Sequence, residues 1–524
     1  MSRLEQHIQA LDRQGLNILS TLRRGMEKEG LRVDAEGFIS QLDHPEALGS
    51  ALTHPNITTD YSEALLELIT PVTESVDELF ASLSLVHRYV QANLPEGEVL
   101  WPASMPSRLA GNESIRIAEY GTSNLGMLKH VYRRGLDWRY GRIMQSIAGA
   151  HFNFSLTDRF WMDLQDVEGN TDSLQDFKSA RYFDLIRNFR RHSWLLMRLF
   201  GGSPAVDESF LAGSDDRHGL VRLGPATLGL PHATSLRMSD LGYQNNAQAG
   251  LKVCFNTLAS YHKTLYQATH TPYPPYEKIG VKVNGEYRQL NTSILQIENE
   301  YYSNIRPKRV TEPGEKPLQA LCRRGVEYIE VRCLDLNPYA PLGIKPWQVF
   351  FLEAFLLTCL LEDAPVIPDA ECERVDADFA RVVRAGGEKG LALTRTGLTL
   401  EAEGEKLLTQ VRRVADWLAD QGEPRYRQAV DQAHEWLMAP ELTPAARILK
   451  GMKAEATCHN GFMMGLARLH QQALKEQGLT ESEQARMHKL ADQSLADQRE
   501  LEAADTMDFD AYLARYMEEA LSPC

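Results

Sequence analysis

Glu27 and Glu29 stand two residues apart in the segment RGMEKEGLRV, residues 24–33, which ends in Leu31 and Val33. In a strand, residues two apart share a face. Two carboxylates would then lie side by side on a face that continues as Leu and Val. At a spacing of roughly 6.5–7 Å and an effective dielectric of about 20, two like charges repel by about 2–3 kcal/mol. A solvated face, where water screens the pair, is one solution. A divalent metal held between the carboxylates is another.

Three further segments pose the same choice. TTDYSEALLELITP, residues 58–71, carries Asp60 and Glu67, with Glu63 as a third candidate. Its Thr-rich start and terminal Thr-Pro favour a strand, in which Glu63, Leu65, Glu67 and Ile69 share a face; a helix would instead align Asp60, Glu63 and Glu67. GAHFNFSL, residues 149–156, places His151, Asn153 and Ser155 on one face and Phe152, Phe154 and Leu156 on the other. GVEYIEVRCLDLNP, residues 325–338, puts Glu330 and Arg332 on one face with Val326, Tyr328, Leu334 and Leu336. A charge pair on so apolar a strand is open to burial, and buried charges need partners. Taken singly, each segment also fits a plainer reading: a solvated face, a hydrogen-bonded structural His, a same-strand ion pair.

Two basic clusters stand beside these acids. YRRGLDWRYGR holds Arg133, Arg134, Arg139 and Arg142 among Tyr132, Trp138 and Tyr140, and IRPKR holds Arg306, Lys308 and Arg309. Arginines alternating with aromatics suit nucleic acid in a basic protein. The net charge here is -15, which disfavours polyanionic partners, nucleic acid and membrane surface alike. The clusters read better as local counters to phosphate or carboxylate, with a solvated helix face the alternative for Arg134 and Arg139.

Several Asp and Glu residues with a His form a hard donor set that suits Mg²⁺ or Mn²⁺. Mg²⁺ commonly binds through a few carboxylates together with substrate phosphates, and arginines neutralise a transferring phosphoryl group. There is no G-x-x-x-x-G-K-[ST] loop, no G-x-G-x-x-G after a strand, no H-E-x-x-H and no G-x-S-x-G. The chemistry indicated is metal-dependent phosphoryl transfer that activates a carboxylate, on some architecture other than a phosphate loop.

Such side chains must be held by strands. HFNFSL, EKIGVKV, SILQIENEYY and EYIEVRCLDL all read as strands, with helical patterns such as VDELFASLSLVHRYVQANL and FDLIRNFRRHSWLLMRLF between them. After residue 340 the chain reads as helix after helix, for example GEKLLTQVRRVADWLADQ and LTESEQARMHKLADQSLADQRELEAAD. Strands and helices do not alternate strictly, so an α+β fold is expected rather than a doubly wound one. Residues 1–340 form an α+β catalytic unit and 341–524 a mainly helical portion of the same compact unit. The 524 residues, 43% hydrophobic, 24% charged and 8% aromatic, describe an ordinary soluble protein with room for a large core.

The polar start MSRLEQHIQALDRQG is no signal peptide, and VFFLEAFLLTCLL, residues 349–361, is too short to span a bilayer and reads as a buried helix. Seven scattered cysteines, with no C-x-x-C pair, argue against a disulfide framework and suit a cytoplasmic location.

The blocks RGMEKEGLRV, HPEALGSALTHPNITTDYSEALLELITP, YGTSN, HFNFSL, ATSLRMSDLGY, LQIENEYYSNIRPKR and GVEYIEVRCLDLNP, in this order, closely resemble bacterial glutamate–cysteine ligase (γ-glutamylcysteine synthetase) of the proteobacterial type. The resemblance runs from about residue 20 to 340 and continues more loosely to EAADT. It implies a curved, mainly antiparallel sheet of glutamine-synthetase type around a funnel-shaped active site. It implies that ATP phosphorylates the γ-carboxylate of L-glutamate and that the L-cysteine amine then displaces phosphate, the first step of glutathione biosynthesis. The length fits the single-function ligase and leaves no room for the additional ATP-grasp domain of bifunctional enzymes.

Carried over by motif position, Glu27, Glu29, Asp60, Glu67, His151 and Glu330 become ligands of Mg²⁺ or Mn²⁺. Arg133 and Arg332 face the transferring phosphate and the glutamate, and Arg237 a substrate carboxylate, with Gln145 and Asn153 as polar contacts. Tyr132, Tyr243 and Tyr302 shape the cysteine pocket. Asn299, Arg306 and Lys308 belong to the nucleotide end. Glutathione is implied as a feedback inhibitor, and a monomer is expected. Three rival readings differ from this one: a ligase of the same superfamily with another amine acceptor, a γ-glutamyl kinase that stops at the acyl phosphate, and a nucleotide sensor without activity.

Overall fold

The computed structural model describes residues 1–242, 248, 250–312 and 314–518. Its centre is an open antiparallel sheet built on β1 (Leu22–Val33), with β2 (Ile57–Thr59), β3 (Leu65–Ile69), β4 (Val99–Leu100) and β5 (Ala150–Leu156). Two small sheets, β6 (Ala205–Asp207) with β7 (Val221–Gly224) and β8 (Thr227–Gly229), and β9 (Lys282–Val283) with β10 (Glu286–Tyr287), lie outside it. β11 (Ile305–Lys308) and β12 (Tyr328–Leu334) complete the central sheet in the order β11-β12-β5-β1-β3-β2, with β4 on β1.

The period-2 pattern of β5 decides its orientation. Phe152 and Phe154 are fully buried and Leu156 nearly so, which turns His151 and Asn153 to the other face. β1 shows no exposed side at all, because Arg24, Met26 and Lys28 are buried opposite Glu27 and Glu29. A strand covered on both faces needs a layer behind it, and the helices supply one. Pro346–Leu361 is buried along almost its whole length, as its largely apolar sequence demands. It packs on the helices Leu174–His192, Leu400–Asp420 and Arg425–Met438.

Glu353 of that helix meets Arg24 of β1 at 2.5 Å, both side chains at most 2% exposed, and also accepts from Tyr426 Oη at 2.5 Å. Burial disfavours the Arg24 charge, but Glu353 outweighs it and raises the guanidinium pKa. Removing one partner of such a pair strands a buried charge. Glu353→Gln is therefore expected to cost about 3–5 kcal/mol, read as a lowered midpoint in urea, while Arg24→Met with Glu353→Leu recovers most of the loss.

One expected strand is shortened and another is absent. Just before EKIGVKV, Pro274 and Pro275 open a short helix, Pro274–Ile279, which ends at Gly280 with φ of 77°, leaving only Lys282 and Val283 of that segment as strand. SILQIENEYY is loop plus one 3₁₀ turn, Glu298–Glu300. Its polar side chains bond locally instead: Gln296 Oε1 accepts from Leu290 N at 2.9 Å, and Gln296 Nε2 donates to Tyr132 O at 3.1 Å. TTDYSEALLELITP is a hairpin of β2 and β3, with Glu63 in its turn accepting from His44 N and Glu119 N. Glu63 thus has a structural task. Cys322 is disulfide-bonded, whereas Cys254, Cys333, Cys359, Cys372 and Cys458 are free. Among the described residues, no helix is long and apolar enough to cross a membrane.

The C-terminal segment returns to the N-terminal half. Asp505 Oδ2 accepts from Asn124 N at 2.6 Å, at the start of the helix Asn124–Tyr140, and Asn124 Nδ2 donates to Met507 O at 3.0 Å. The helix Phe509–Glu518 then lays Leu513 against Leu128 and Val131.

Candidate active site

Strand register places the acids. Glu29 lies opposite Glu67 across β1 and β3, Glu27 opposite His151 across β1 and β5, and Asn153 opposite Glu330 across β5 and β12. Directly opposed residues hold their Cβ atoms about 4.5–5.5 Å apart, so three cross-strand pairs form one polar patch over four strands. Ligand atoms of Glu27, Glu67 and His151 all lie within 4.8 Å of one another.

The hydrogen bonding of the patch is incomplete. Asn153 Nδ2 donates to Glu27 Oε1 at 2.8 Å, and Gly149 N donates to Glu29 Oε2 at 2.5 Å. His151 Nδ1 stands 3.6 Å from Glu27 Oε2 and 3.7 Å from Glu330 Oε1, and Nε2 is 3.5 Å from Glu29 Oε1. These are contacts longer than good hydrogen bonds. His151 Nδ1 and Glu330 Oε2 are buried and have no hydrogen-bond partner. Among the described residues the carboxylates of Asp60 and Glu67 have neither hydrogen bond nor ion pair. Buried polar atoms such as His151 Nδ1 and Glu330 Oε2 are rarely left so, while Asp60 and Glu67 are partly open to solvent.

The charges divide into two kinds. Burial raises Glu67 well above the usual carboxylate range, and Glu27, Asp60, Glu29 and Glu330 all add to the rise. Burial also raises Glu29, with Asp60 adding and His151 and Arg237 opposing. Burial acts upward on Glu330 too, but Arg332, Lys308, His151 and Arg306 outweigh it and hold its carboxyl well below the usual range. Glu27 is lowered as well, since His151 and Lys308 outweigh its burial and the charge of Glu330. A patch with surplus negative charge, oxygen donors and one orphaned imidazole nitrogen has the composition of a hard-cation site. Glu27, Glu29, Asp60, Glu67, His151 and Glu330 fit that role chemically.

A cleft of about 120 Å³ opens beside the patch. The helix Asn124–Tyr140 brings Tyr132 and Arg133 to it, the turn Ile143–Ser146 brings Gln145, and the Glu298–Tyr302 loop brings Asn299 and Tyr302. Arg306, Arg332, Glu29 and Asp60 line it from the sheet side, and Tyr140 and Glu300 also reach its wall. Arg133 lies 4.7 Å over the Tyr120 ring, a cation–π contact, and its Nε donates to Asp60 O. Arg332 Nη1 donates to Glu330 Oε1 at 2.9 Å. Burial acts against the Arg332 charge, and Glu330 more than compensates, so its pKa is raised.

A second cavity, about 330 Å³, shares Asn299 and Arg306 with the cleft and adds Lys308. Tyr261, Leu265, Leu318, Leu321 and Tyr328 give it apolar walls. Arg237 takes another position. Its guanidinium donates to Arg332 O at 2.9 Å and Leu334 O at 3.3 Å, where the β12 register shifts, and lies 3.8 Å from Asp335. A Cβ at Gly149 would stand 2.1 Å from Arg237 Nη2, so only glycine admits that arginine. Tyr243 lies outside the described residues.

One pair of site residues escapes sequence reasoning. Arg139, which also reads as part of a solvated face, is fully buried and bonded to Glu300 at 3.1 Å. Arg134 does lie near the surface, 3.3 Å from the exposed Glu286. Glu300 sits inside a quoted motif, but its partner is 161 residues away, and no local pattern links the two.

A family model described as glutamate–cysteine ligase matches residues 8–382. The glutamate–cysteine ligase of Hahella chejuensis is 56% identical over 522 residues, covering 98% of this chain and 99% of its own. That of Pseudomonas aeruginosa strain PAO1 is 50% identical over 509 residues, covering 97% and 96%. The crystal structure of the Francisella tularensis glutamate–cysteine ligase in complex with AMP matches with a TM-score of 0.89 and 34% identity, covering 96% of this chain and 99% of that one. The bifunctional glutathione synthetase of Pasteurella multocida matches with a TM-score of 0.71 and 26% identity, over 93% of this chain and 57% of that one.

Proposed function

Because the chain belongs to the glutamate–cysteine ligase family, we propose that its acidic sheet face and adjoining cleft are where ATP, glutamate and cysteine meet. The protein is an ATP-dependent ligase that makes γ-glutamylcysteine, the first step of glutathione biosynthesis. The γ-phosphoryl group moves from ATP to a γ-carboxylate oxygen of glutamate, and ADP leaves. The cysteine amine then forms the new C–N bond, the acyl C–O bond breaks, and phosphate departs with that electron pair.

The observation that carries the site assignment is the register that brings Glu27, Glu29, Glu67, His151, Asn153 and Glu330 onto one face. We assign Glu27, Glu29, Asp60, Glu67, His151 and Glu330 as holders of divalent metal, Mg²⁺ or Mn²⁺. Bound there, the metal supplies the positive charge that lets phosphates and a carboxylate approach each other. Arg332 and Arg133 neutralise the transferring phosphoryl group from opposite walls. Arg332 is held in place by Glu330, and Arg133 by Asp60 O and the Tyr120 ring. Arg237 is assigned to a substrate carboxylate, with Gln145 and Asn153 as polar contacts.

The apolar cavity with Asn299, Arg306 and Lys308 at its rim suits a nucleotide, base against the apolar walls and phosphates toward the cations. AMP in the Francisella relative supports ATP as co-substrate. Tyr132 and Tyr302, with Tyr243, are assigned to the cysteine pocket, which an aromatic wall keeps small. Residues 1–340 would then be the catalytic unit and 341–524 its scaffold. The same reading takes the protein as a cytoplasmic monomer subject to feedback by glutathione.

Phosphate release from ATP and glutamate, measured with a panel of amines, tests this reading. Cysteine is expected to stimulate release at least tenfold more than alanine or ammonia. Chelation should abolish the release, and Mg²⁺ or Mn²⁺ should restore it. Equal stimulation by alanine would overturn the acceptor assignment, and release that survives chelation would overturn the metal assignment.

A further inference from the structure

The two walls of the cleft that carry Tyr132 and Tyr302 are separate pieces of chain, and one buried carboxylate joins them. Glu300 accepts from Arg139 Nη1 at 3.1 Å, from Tyr140 Oη at 2.5 Å and from Gln296 N at 2.7 Å. Arg139 and Glu300 side chains are 0% and 1% exposed. Arg139 is itself fixed on three more sides: Nε donates to Gln289 Oε1 at 3.0 Å, Nη2 to Asn291 O at 2.8 Å, and its guanidinium lies 4.2 Å over the Tyr276 ring. On the loop side, Gln248 Nε2 donates to Glu300 O at 3.0 Å, next to Tyr302.

A second contact presses the same two walls together. Gln296 Nε2 donates to Tyr132 O, and a Cβ at Gly135 would stand 2.1 Å from Gln296 Oε1. Glycine in a helix interior costs about 1 kcal/mol relative to alanine, and here it permits the loop to touch the helix backbone. Burial and the nearby Glu300 charge raise the Tyr140 phenol, so it stays a donor to that carboxylate.

We propose that Glu300 is a positioning residue that sets the width of the amine-acceptor pocket by tying the helix of Tyr132 to the loop of Tyr302. This rests on the assignment of Tyr132 and Tyr302 to that pocket. Nothing in the step requires Glu300 to touch substrate. Its ion pair with Arg139 fixes the distance between the walls, and an acceptor the size of cysteine is selected by that distance.

Glu300→Gln keeps the volume and an acceptor for Tyr140 but removes the charge that holds Arg139. Steady-state kinetics should show KM for cysteine raised tenfold or more, with KM for glutamate and ATP within twofold of wild type. The preference for cysteine over 2-aminobutyrate, which puts a methyl group in place of the thiol, should narrow at least threefold. Arg139→Lys should fall between the two proteins. Tyr140→Phe, which strands no charge, should raise KM for cysteine alone by about threefold, and it carries the test if Glu300→Gln does not fold. A uniform fall in kcat with unchanged KM values and acceptor preference would overturn the proposal. If KM for cysteine is unchanged in both Glu300→Gln and Tyr140→Phe but rises in Tyr132→Ala, the clamp is wrong and the pocket assignment stands. If Tyr132→Ala and Tyr302→Ala also leave it unchanged, the pocket assignment falls, and the proposal with it.

Discussion

Glu67→Gln is expected to reduce turnover by on the order of 10²–10³-fold and, in the same protein, to stabilise the metal-free fold. The two effects share one cause. The Glu67 carboxyl is raised by burial and by four neighbouring carboxylates, so its charge opposes folding when no cation is present. A carboxyl whose folded pKa exceeds its unfolded value lowers stability as pH rises past about 4.3, and the full loss is reached above the folded pKa. The variant should therefore match wild type at pH 4 and exceed it at pH 7–8, by on the order of 1–2 kcal/mol given repulsions at ordinary strand spacings. Thermal unfolding in chelator across this range measures the difference. Adding Mg²⁺ or Mn²⁺ should reverse the order, because an ion that binds only the folded form stabilises the protein that binds it better. A metal-free Glu67→Gln less stable than wild type at pH 8 would remove Glu67 from the acidic cluster.

Arg332→Lys should lower kcat/KM for glutamate by on the order of 10²–10³-fold with little change in unfolding temperature. Lysine keeps a positive charge beside Glu330, so no buried carboxylate is stranded. It loses the planar fork that lets one side chain serve Glu330 and a second anion at once. Arg332→Ala separates the two roles. It leaves Glu330, 1% exposed, without its closest cation and should cost about 3–5 kcal/mol of stability in addition to activity. Glutamate-dependent ADP formation, measured beside a thermal melt, distinguishes them. Activity within threefold of wild type in the lysine variant would show that the fork has no part in the reaction.

The sequence made the acidic strands legible because each carries its own evidence. Phe152 and Phe154 orient His151 and Asn153 without reference to any other segment, and the alternation in EYIEVRCL does the same for Glu330 and Arg332. The motif blocks then linked strands far apart in the chain. What stayed illegible depends on contacts across the fold. SILQIENEYY has the composition of a strand, yet Gln296 and Glu300 turn to partners on the helix Asn124–Tyr140, and the backbone follows them. Arg139 stands beside the exposed Trp138, so nothing local reveals its burial. Glu63 reads equally as strand or turn, because the two look alike at four residues' length, and only the fold shows it accepting from His44 N and Glu119 N. The division of charge between Glu330, well below its usual range, and Glu67, well above it, needs positions in space, since both are glutamates on short apolar strands.

The bond from Asn124 to Asp505 spans 381 residues of sequence. A ribosome adding roughly 5–20 residues each second needs about 20–80 s to make that stretch. Throughout that interval the segment that becomes the helix of Tyr132 and Arg133 lacks the carboxylate that caps its first turn in the folded protein. A nascent chain with every carboxylate of the acidic patch already translated thus still lacks the contact that closes the start of that helix.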